Sequence, residues 1–323
     1  MGKIDTITKE YMKDSAIFAD AFNKFLYHGR QVIEPEKLIE LDTTEIVLPY
    51  GEGGVAVPEQ KYRDVLKLAK TDGNVAYCIL GSELQNAIHY AMPVKNMVYD
   101  AMQLAYQVTE AAQSHKRKEK NKEDREYEPS SEEYLSGFYK TDKLLPVVTL
   151  TIHFGPERWS GPLSLKEMYS TTDEAVMQYV PDYKVNLIDP GQMTEEEIEE
   201  FQTSLKEVML YIKYSKDKTK LQEVTQADSN FRNLDRQAAE VINVTTNSKL
   251  KYPEGKERVD MCVAIEEMRM DSRLEGELEG EIKGAVKTYQ EVGFSLQETI
   301  QRVADNYNFS LEESEEKVTG YWQ

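Results

Sequence analysis

The sequence predicts an α/β fold with a mainly helical C-terminal region. Three observations predict it. The first half reads helix, strands, helix, strand. Its most β-branched apolar run is "LLPVVTLTIHFG", residues 144–155, which reads as a buried strand. After about residue 190 the apolar residues recur at helical spacing. The expected division is therefore residues 1–190 as the core and residues 191–323 as an acidic helical region.

Taken in order, residues 14–28 carry Ile17, Phe18, Ala21, Phe22, Phe25 and Leu26 at helical spacing. Short strand-like pieces and a Gly-rich turn follow, in "LIELDTTEIVLPYGEGGVAVPEQ". That turn lacks the Gly-Lys-Ser/Thr ending of a phosphate loop. Next come "YRDVLKLAK" and "VAYCILGSELQ", two strands joined around Asp72-Gly73, a strong hairpin signal. "MPVKNMVYDAMQLAYQVTEAAQSHK" reads as a long helix with Pro93 in its first turn. The charged run after it reads as loop or frayed helix. Further on, Thr194 and Glu197 form a capping box ahead of Ile198, Phe201, Leu205, Val208 and Ile212. Gly276, Gly280 and Gly284 recur every fourth residue, in a thin helix open to close backbone approach or in a linker. Ser295 and Ser310 are placed to cap two final helices.

The chain has 323 residues, of which 40% are hydrophobic and 30% charged, the composition of a soluble globular protein. No run of eighteen apolar residues suggests a membrane span, and the first fifteen residues lack a signal-peptide core. The expectation is a cytoplasmic protein with reduced thiols at Cys78 and Cys262. A net charge of −19 argues against a non-specific DNA coat. It leaves room for a nuclease, because bound cations set the local field there.

One stretch carries chemistry. With Thr71 opposite Asn74, Asp64 falls across from Gly81, and Asp64 shares a face with Glu83 and Gln85. Asp64 and Glu83 are then diagonal neighbours, with Gly81 leaving space between the strands. Two carboxylates at that spacing suit a hard cation such as Mg²⁺ or Mn²⁺, which retains waters, one of them a nucleophile for phosphodiester hydrolysis. Gln85 can orient water but carries no charge. The residues alone leave two readings open: a metal site, or a strand that merely ends in polar side chains. The four histidines form no rival site.

The arrangement "RDV…TDGN…YCILGSELQ" resembles the core of the PD-(D/E)XK nuclease superfamily, and more closely the Rpn family of recombination-promoting nucleases and transposases. The resemblance covers "FADAFNKFLY", the hairpin, "MPVKNMVYDAMQLAYQ" and "LPVVTLTIHFGPERWSGPLSLKEM", about half the chain, and extends to the "EGELEGE" tail. It implies a restriction-endonuclease-like core with a mixed central sheet flanked by helices. It makes Asp64, Glu83 and the Leu84 carbonyl metal ligands and puts Gln85 in the place of the superfamily's lysine. Asp20 is the candidate for a further acid from the first helix, against a solvated helix residue. Lys95, Tyr99 and Gln103 share one helix face, pointing toward phosphate and the attacking water, or forming a polar stripe beside the sheet. The implied function is a Mg²⁺-dependent DNA endonuclease acting in recombination or transposition, with possible self-association of the C-terminal helices. The alternative is a decayed nuclease core serving as an interaction module.

Overall fold

The chain opens with two helices, α1 (Lys3–Lys13) and α2 (Ser15–Tyr27). Asp14 lies between them, and its carboxylate accepts from the backbone N–H groups of Ala16 and Ile17, capping α2. Only α2 was expected. Yet Ile4, Ile7, Tyr11 and Met12 also recur at helical spacing, and Tyr11 and Met12 are fully buried. The structure, a computed structural model, describes residues 2–47, 59–121, 127–253 and 255–322. The Gly-rich turn expected near residues 51–54 lies outside the described residues.

Three short strands follow: β1 (Leu38–Glu40), β2 (Thr44–Val47) and β3 (Glu59–Tyr62). Strands β2 and β3 pair with each other. The hairpin consists of β4 (Val65–Lys70) and β5 (Ala76–Gln85), and α3 (Met92–Asn121) succeeds it. Thus α3 takes in residues 116–121 of the charged run 116–133 that was expected to be loop or frayed helix. After the short α4 (Ser131–Ser136) comes β6 (Val147–His153), the β-branched run. The remainder of this part holds α5 (Glu174–Met177) and β7 (Asn186–Ile188).

The central sheet has the order β1-β4-β5-β6-β7. β1, β4 and β5 run antiparallel to one another, while β5, β6 and β7 are parallel. It is the expected mixed sheet flanked by helices. Side chains alternate between its faces. Register places Gly81, Glu83, Thr149 and Thr151 on the face of α3, and Leu80, Ser82, Leu150 and Ile152 on the other. On that second face the Lys67 ammonium reaches the Lys13 carbonyl and Ser15 Oγ, tying β4 to α1 and α2.

The contacts group residues 191–248 with the first unit, where a division near residue 190 was expected. Capped by Thr194 as expected, α6 (Glu195–Glu199) stops early, and α7 (Leu205–Tyr214) starts a new helix. These, with α8 (Lys218–Ala227), β8 (Leu234–Asp235), α9 (Arg236–Thr246) and β9 (Arg258–Val259), belong to the first unit, Met1–Ser248 with Gly255–Val259. The reason is visible in the contacts. Tyr11 Oη lies 3.0 Å from Ser204 Oγ, and the buried Asp20 carboxylate accepts from the N–H groups of Gln202 and Thr203. Helices α7 and α9 therefore complete the core that α1 and α2 begin.

The second unit, Lys249–Glu254 with Asp260–Gln323, contains α10 (Met261–Val292), α11 (Leu296–Tyr307) and α12 (Leu311–Tyr321). Ile282, Val286, Val303 and Val318 form its core. Ser295 and Ser310 cap α11 and α12 with capping boxes, as expected. Gly276, Gly280 and Gly284 lie within α10, and a Cβ added to any of them meets no atom within 4 Å. Of the two readings, helix or linker, the helix is what forms, and among the described residues no other backbone comes close to these glycines.

Candidate active site

The site begins with the turn. Thr71 accepts from Asn74 N–H and donates to the Val75 carbonyl, both at 2.9 Å. Asn74 is left-handed, with φ of 60°. This is a three-residue loop closed by an αL residue, rather than the expected two-residue turn. It moves the register by one, and an irregularity at Ala69/Lys70 moves it again. Val65 consequently pairs with Ser82, and Leu66, rather than Asp64, pairs with Gly81. Asp64, next along, stands across from Glu83. A single slip would have sent the two carboxylates to opposite faces; two slips keep them together.

Asp64 and Glu83 are unlike in their surroundings. Asp64 Oδ2 accepts from the Leu84 N–H at 2.8 Å. Burial pushes its carboxyl up, while that hydrogen bond, Lys95 and Lys9 pull it back. Glu83 is 1% exposed. Its Oε2 lies 2.7 Å from Lys95 Nζ, and its Oε1 has no hydrogen-bond partner. Burial pushes the Glu83 carboxyl up to about 7, against the pull of Lys95, and the neighbouring Asp64 charge adds to the rise.

Helix α3 supplies the cover. Lys95 reaches Glu83, and Tyr99 is buried one turn later. The Tyr99 ring has Arg63 Cζ 5.1 Å from its centroid and Lys95 Nζ 5.9 Å away. Gln85 is half-buried at the end of the same strand face. Its carbonyl accepts from Phe154 N–H at 2.8 Å and lies 3.1 Å from His153 Nδ1. Leu84 follows Glu83. One residue's N–H and C=O point to the same edge of an extended strand, so its carbonyl faces the Asp64 side as its N–H does.

Asp20 is not brought here. Its oxygens are taken up by Gln202 N–H, Thr203 N–H and Thr203 Oγ1, the last at 2.6 Å. Besides Lys95 of α3, charges of α1 act on Asp64: Lys9 lowers its pKa and Asp5 raises it. The signal for α1 is the helical spacing of Ile4, Ile7, Tyr11 and Met12.

The space expected beside Gly81 is also filled. A Cβ at Gly81 would sit 2.2 Å from Arg63 Nη1. Arg63 is wholly buried, donates to Thr149 Oγ1 at 2.5 Å, and pairs with Asp100 at 3.0 Å. Asn96, equally buried, donates to Thr151 Oγ1 at 2.9 Å, and its Oδ1 has no partner. A signal for these existed: Thr149, Thr151 and His153 alternate through a strand read only as apolar.

Among the described residues no group of three or more His, Cys, Asp or Glu gathers to hold a metal. What the site offers a hard cation is two carboxylates and the Leu84 carbonyl. The unpartnered buried Glu83 Oε1 fits a cation that keeps several waters, as Mg²⁺ does. It does not fit zinc, which prefers nitrogen and sulfur.

Residues 59–241 match the model of a family described as "Putative transposase, YhgA-like". The matched stretch runs from β3 into α9 and includes both carboxylates and Lys95. No curated protein and no solved structure matches the chain. No helix among the described residues is long and apolar enough to cross a membrane.

Proposed function

Because the chain belongs to the YhgA-like transposase family, we propose that it is a Mg²⁺- or Mn²⁺-dependent endonuclease that hydrolyses phosphodiester bonds in DNA during recombination or transposition. The observation that carries this reading is Asp64 across from Glu83, with one buried carboxylate oxygen left unpartnered. Two carboxylates facing each other repel unless a cation lies between them or one is protonated. A bound divalent ion would supply a water nucleophile and neutralise charge on the phosphate. Asp64, Glu83 and the Leu84 carbonyl would hold it. Lys95 lies beside Glu83 and the Tyr99 ring beside Lys95, and both would line the approach of the phosphate. Gln85, neutral, is left to orient water. Lys9 adds a positive charge on the Asp64 side. It offsets the lysine that Gln85 replaces.

The test is nicking of supercoiled plasmid with Mg²⁺ or Mn²⁺ by wild type and Asp64→Ala. Metal-dependent nicking by wild type alone is expected. Equal cleavage by both proteins would sink the reading.

A second reading draws on the ion pair itself. Lys95 at 2.7 Å already neutralises one Glu83 oxygen, as it would in a nuclease core that has lost its metal and serves as an interaction module. Calorimetric titration with Mn²⁺ separates the two. Binding that disappears in Asp64→Ala supports the nuclease, and no binding at millimolar metal supports the module. The proposal extends to self-association through α10–α12, since Met270 and Leu274 on α10 are 57% and 56% exposed. Light scattering should give a multiple of the monomer mass for the full chain and the monomer mass for a truncation after Val259; monomer masses for both would refute self-association.

A further inference from the structure

We propose that Arg63 is a positioning residue: its guanidinium clamps α3 onto the sheet and thereby sets Lys95 and Tyr99 against Glu83. This rests on the nuclease reading above. Arg63 immediately precedes Asp64 and is 0% exposed. One nitrogen donates to Thr149 Oγ1 on β6, and another to Asp100 Oδ1 on α3. The same Asp100 accepts from Thr149 Oγ1 at 2.5 Å and from Tyr183 Oη at 2.6 Å. One network thus joins the start of β4, β6, α3 and the segment ahead of β7.

The sheet is notched for this side chain. A Cβ at position 81 would lie 2.2 Å from Nη1, so glycine is what admits the guanidinium. Its planar fork fixes direction as well as distance, which apolar contacts between a helix and a sheet do not. Asp100 lies five residues past Lys95, roughly 7.5 Å along a rigid helix. Tyr99, under the Arg63 cation, lies between them. Movement at Asp100 therefore carries directly to Lys95 Nζ. The Arg63 charge is matched by Asp100, so it does not replace the missing lysine; it places the one that α3 supplies. Removing both charges of a buried ion pair together commonly costs little, provided that the hydroxyls they hold keep an acceptor.

That last point supplies the test, on the full chain with Mn²⁺ as probe. Arg63→Met/Asp100→Asn, which keeps an amide oxygen for the Thr149 and Tyr183 hydroxyls, should melt near wild type and bind Mn²⁺ as wild type does. It should nick plasmid roughly 10- to 100-fold more slowly at saturating DNA, the loss falling in kcat rather than KM. A wild-type rate, or loss of Mn²⁺ binding, overturns the proposal. Should the double variant not fold, Arg63→Lys keeps the charge without the fork; the same drop supports the clamp, and a wild-type rate overturns it. If wild type itself cleaves nothing, the nuclease reading has failed separately. A crystal structure of Arg63→Lys then decides: a retained Lys95–Glu83 contact overturns the clamp, and its loss supports it.

Discussion

On the sheet face covered by α1 and α2, Val65, Ala69, Leu80, Leu150 and Ile152 are buried, and the lysine among them, Lys67, has partners at 2.6 and 2.9 Å. On the face covered by α3, the buried residues include Arg63, Glu83, Asn96, Thr149 and Thr151. The first face leaves one hydroxyl, Ser82 Oγ, without a partner; the second leaves a carboxylate oxygen and an amide oxygen. Burying a carboxylate without partners is costly, and burying a hydroxyl much less so. One face of the same strands is therefore built for stability, and the other holds polar groups that a fold selected for stability alone would not contain.

Substitutions on the two faces should have different consequences. Leu150→Ala on the apolar face should lower unfolding free energy by about 3–5 kcal/mol, read by urea denaturation. Mn²⁺ affinity of the protein that remains folded should not change. A loss under about 1 kcal/mol would show that this face is loosely packed. Lys95→Ala on the polar face should slow nicking roughly a hundredfold, as loss of one charge-stabilising donor does. Without metal it should also lower the melting temperature near pH 8, because the buried Glu83 carboxylate loses its lysine.

Glu83→Gln should move stability and function in opposite directions. The folded carboxyl titrates at about 7 against an ordinary 4.5. As pH rises, the unfolded chain ionises first, so metal-free wild type loses stability across that window. The variant has no such loss. It should be about 1–3 kcal/mol more stable than wild type near pH 8, equal to it below about pH 4, and unable to bind Mn²⁺. A lower melting temperature near pH 8 would mean that the Lys95 pair outweighs burial.

The smallest effect is expected far from the sheet. Gly276→Ala and Gly280→Ala each add a methyl to open space inside α10. Each should stabilise the second unit by about 0.5–1 kcal/mol, measured by thermal unfolding monitored through Trp322. Destabilisation would mean that the α10 glycines are required by a contact this chain does not make alone.

Much of this was legible in the residue order. The spacing of Ile17, Phe18, Ala21 and Phe22 marks α2; Thr194, Ser295 and Ser310 mark three helix starts; and the β-branched run marks β6. The period-two alternation of β5 puts Glu83 and Gln85 on one face whatever strand lies beside it. Local chemistry decides such features, so the residue order alone sets these elements, their succession and the shared face of Glu83 and Gln85. Tertiary structure decided the rest. Which residue stands opposite Asp64 depends on the αL geometry of Asn74 and on a bulge at Ala69/Lys70, small backbone terms with no strong local signature. Asp20 became a cap for residues 202–203 because α2 packs against a segment about 180 residues away in sequence. The space at Gly81 went to Arg63 because α3 brings Asp100 over it. In each case the outcome depends on which distant groups share a low-dielectric interior, where a polar atom must find a partner or a function, and that is set only when the chain has folded.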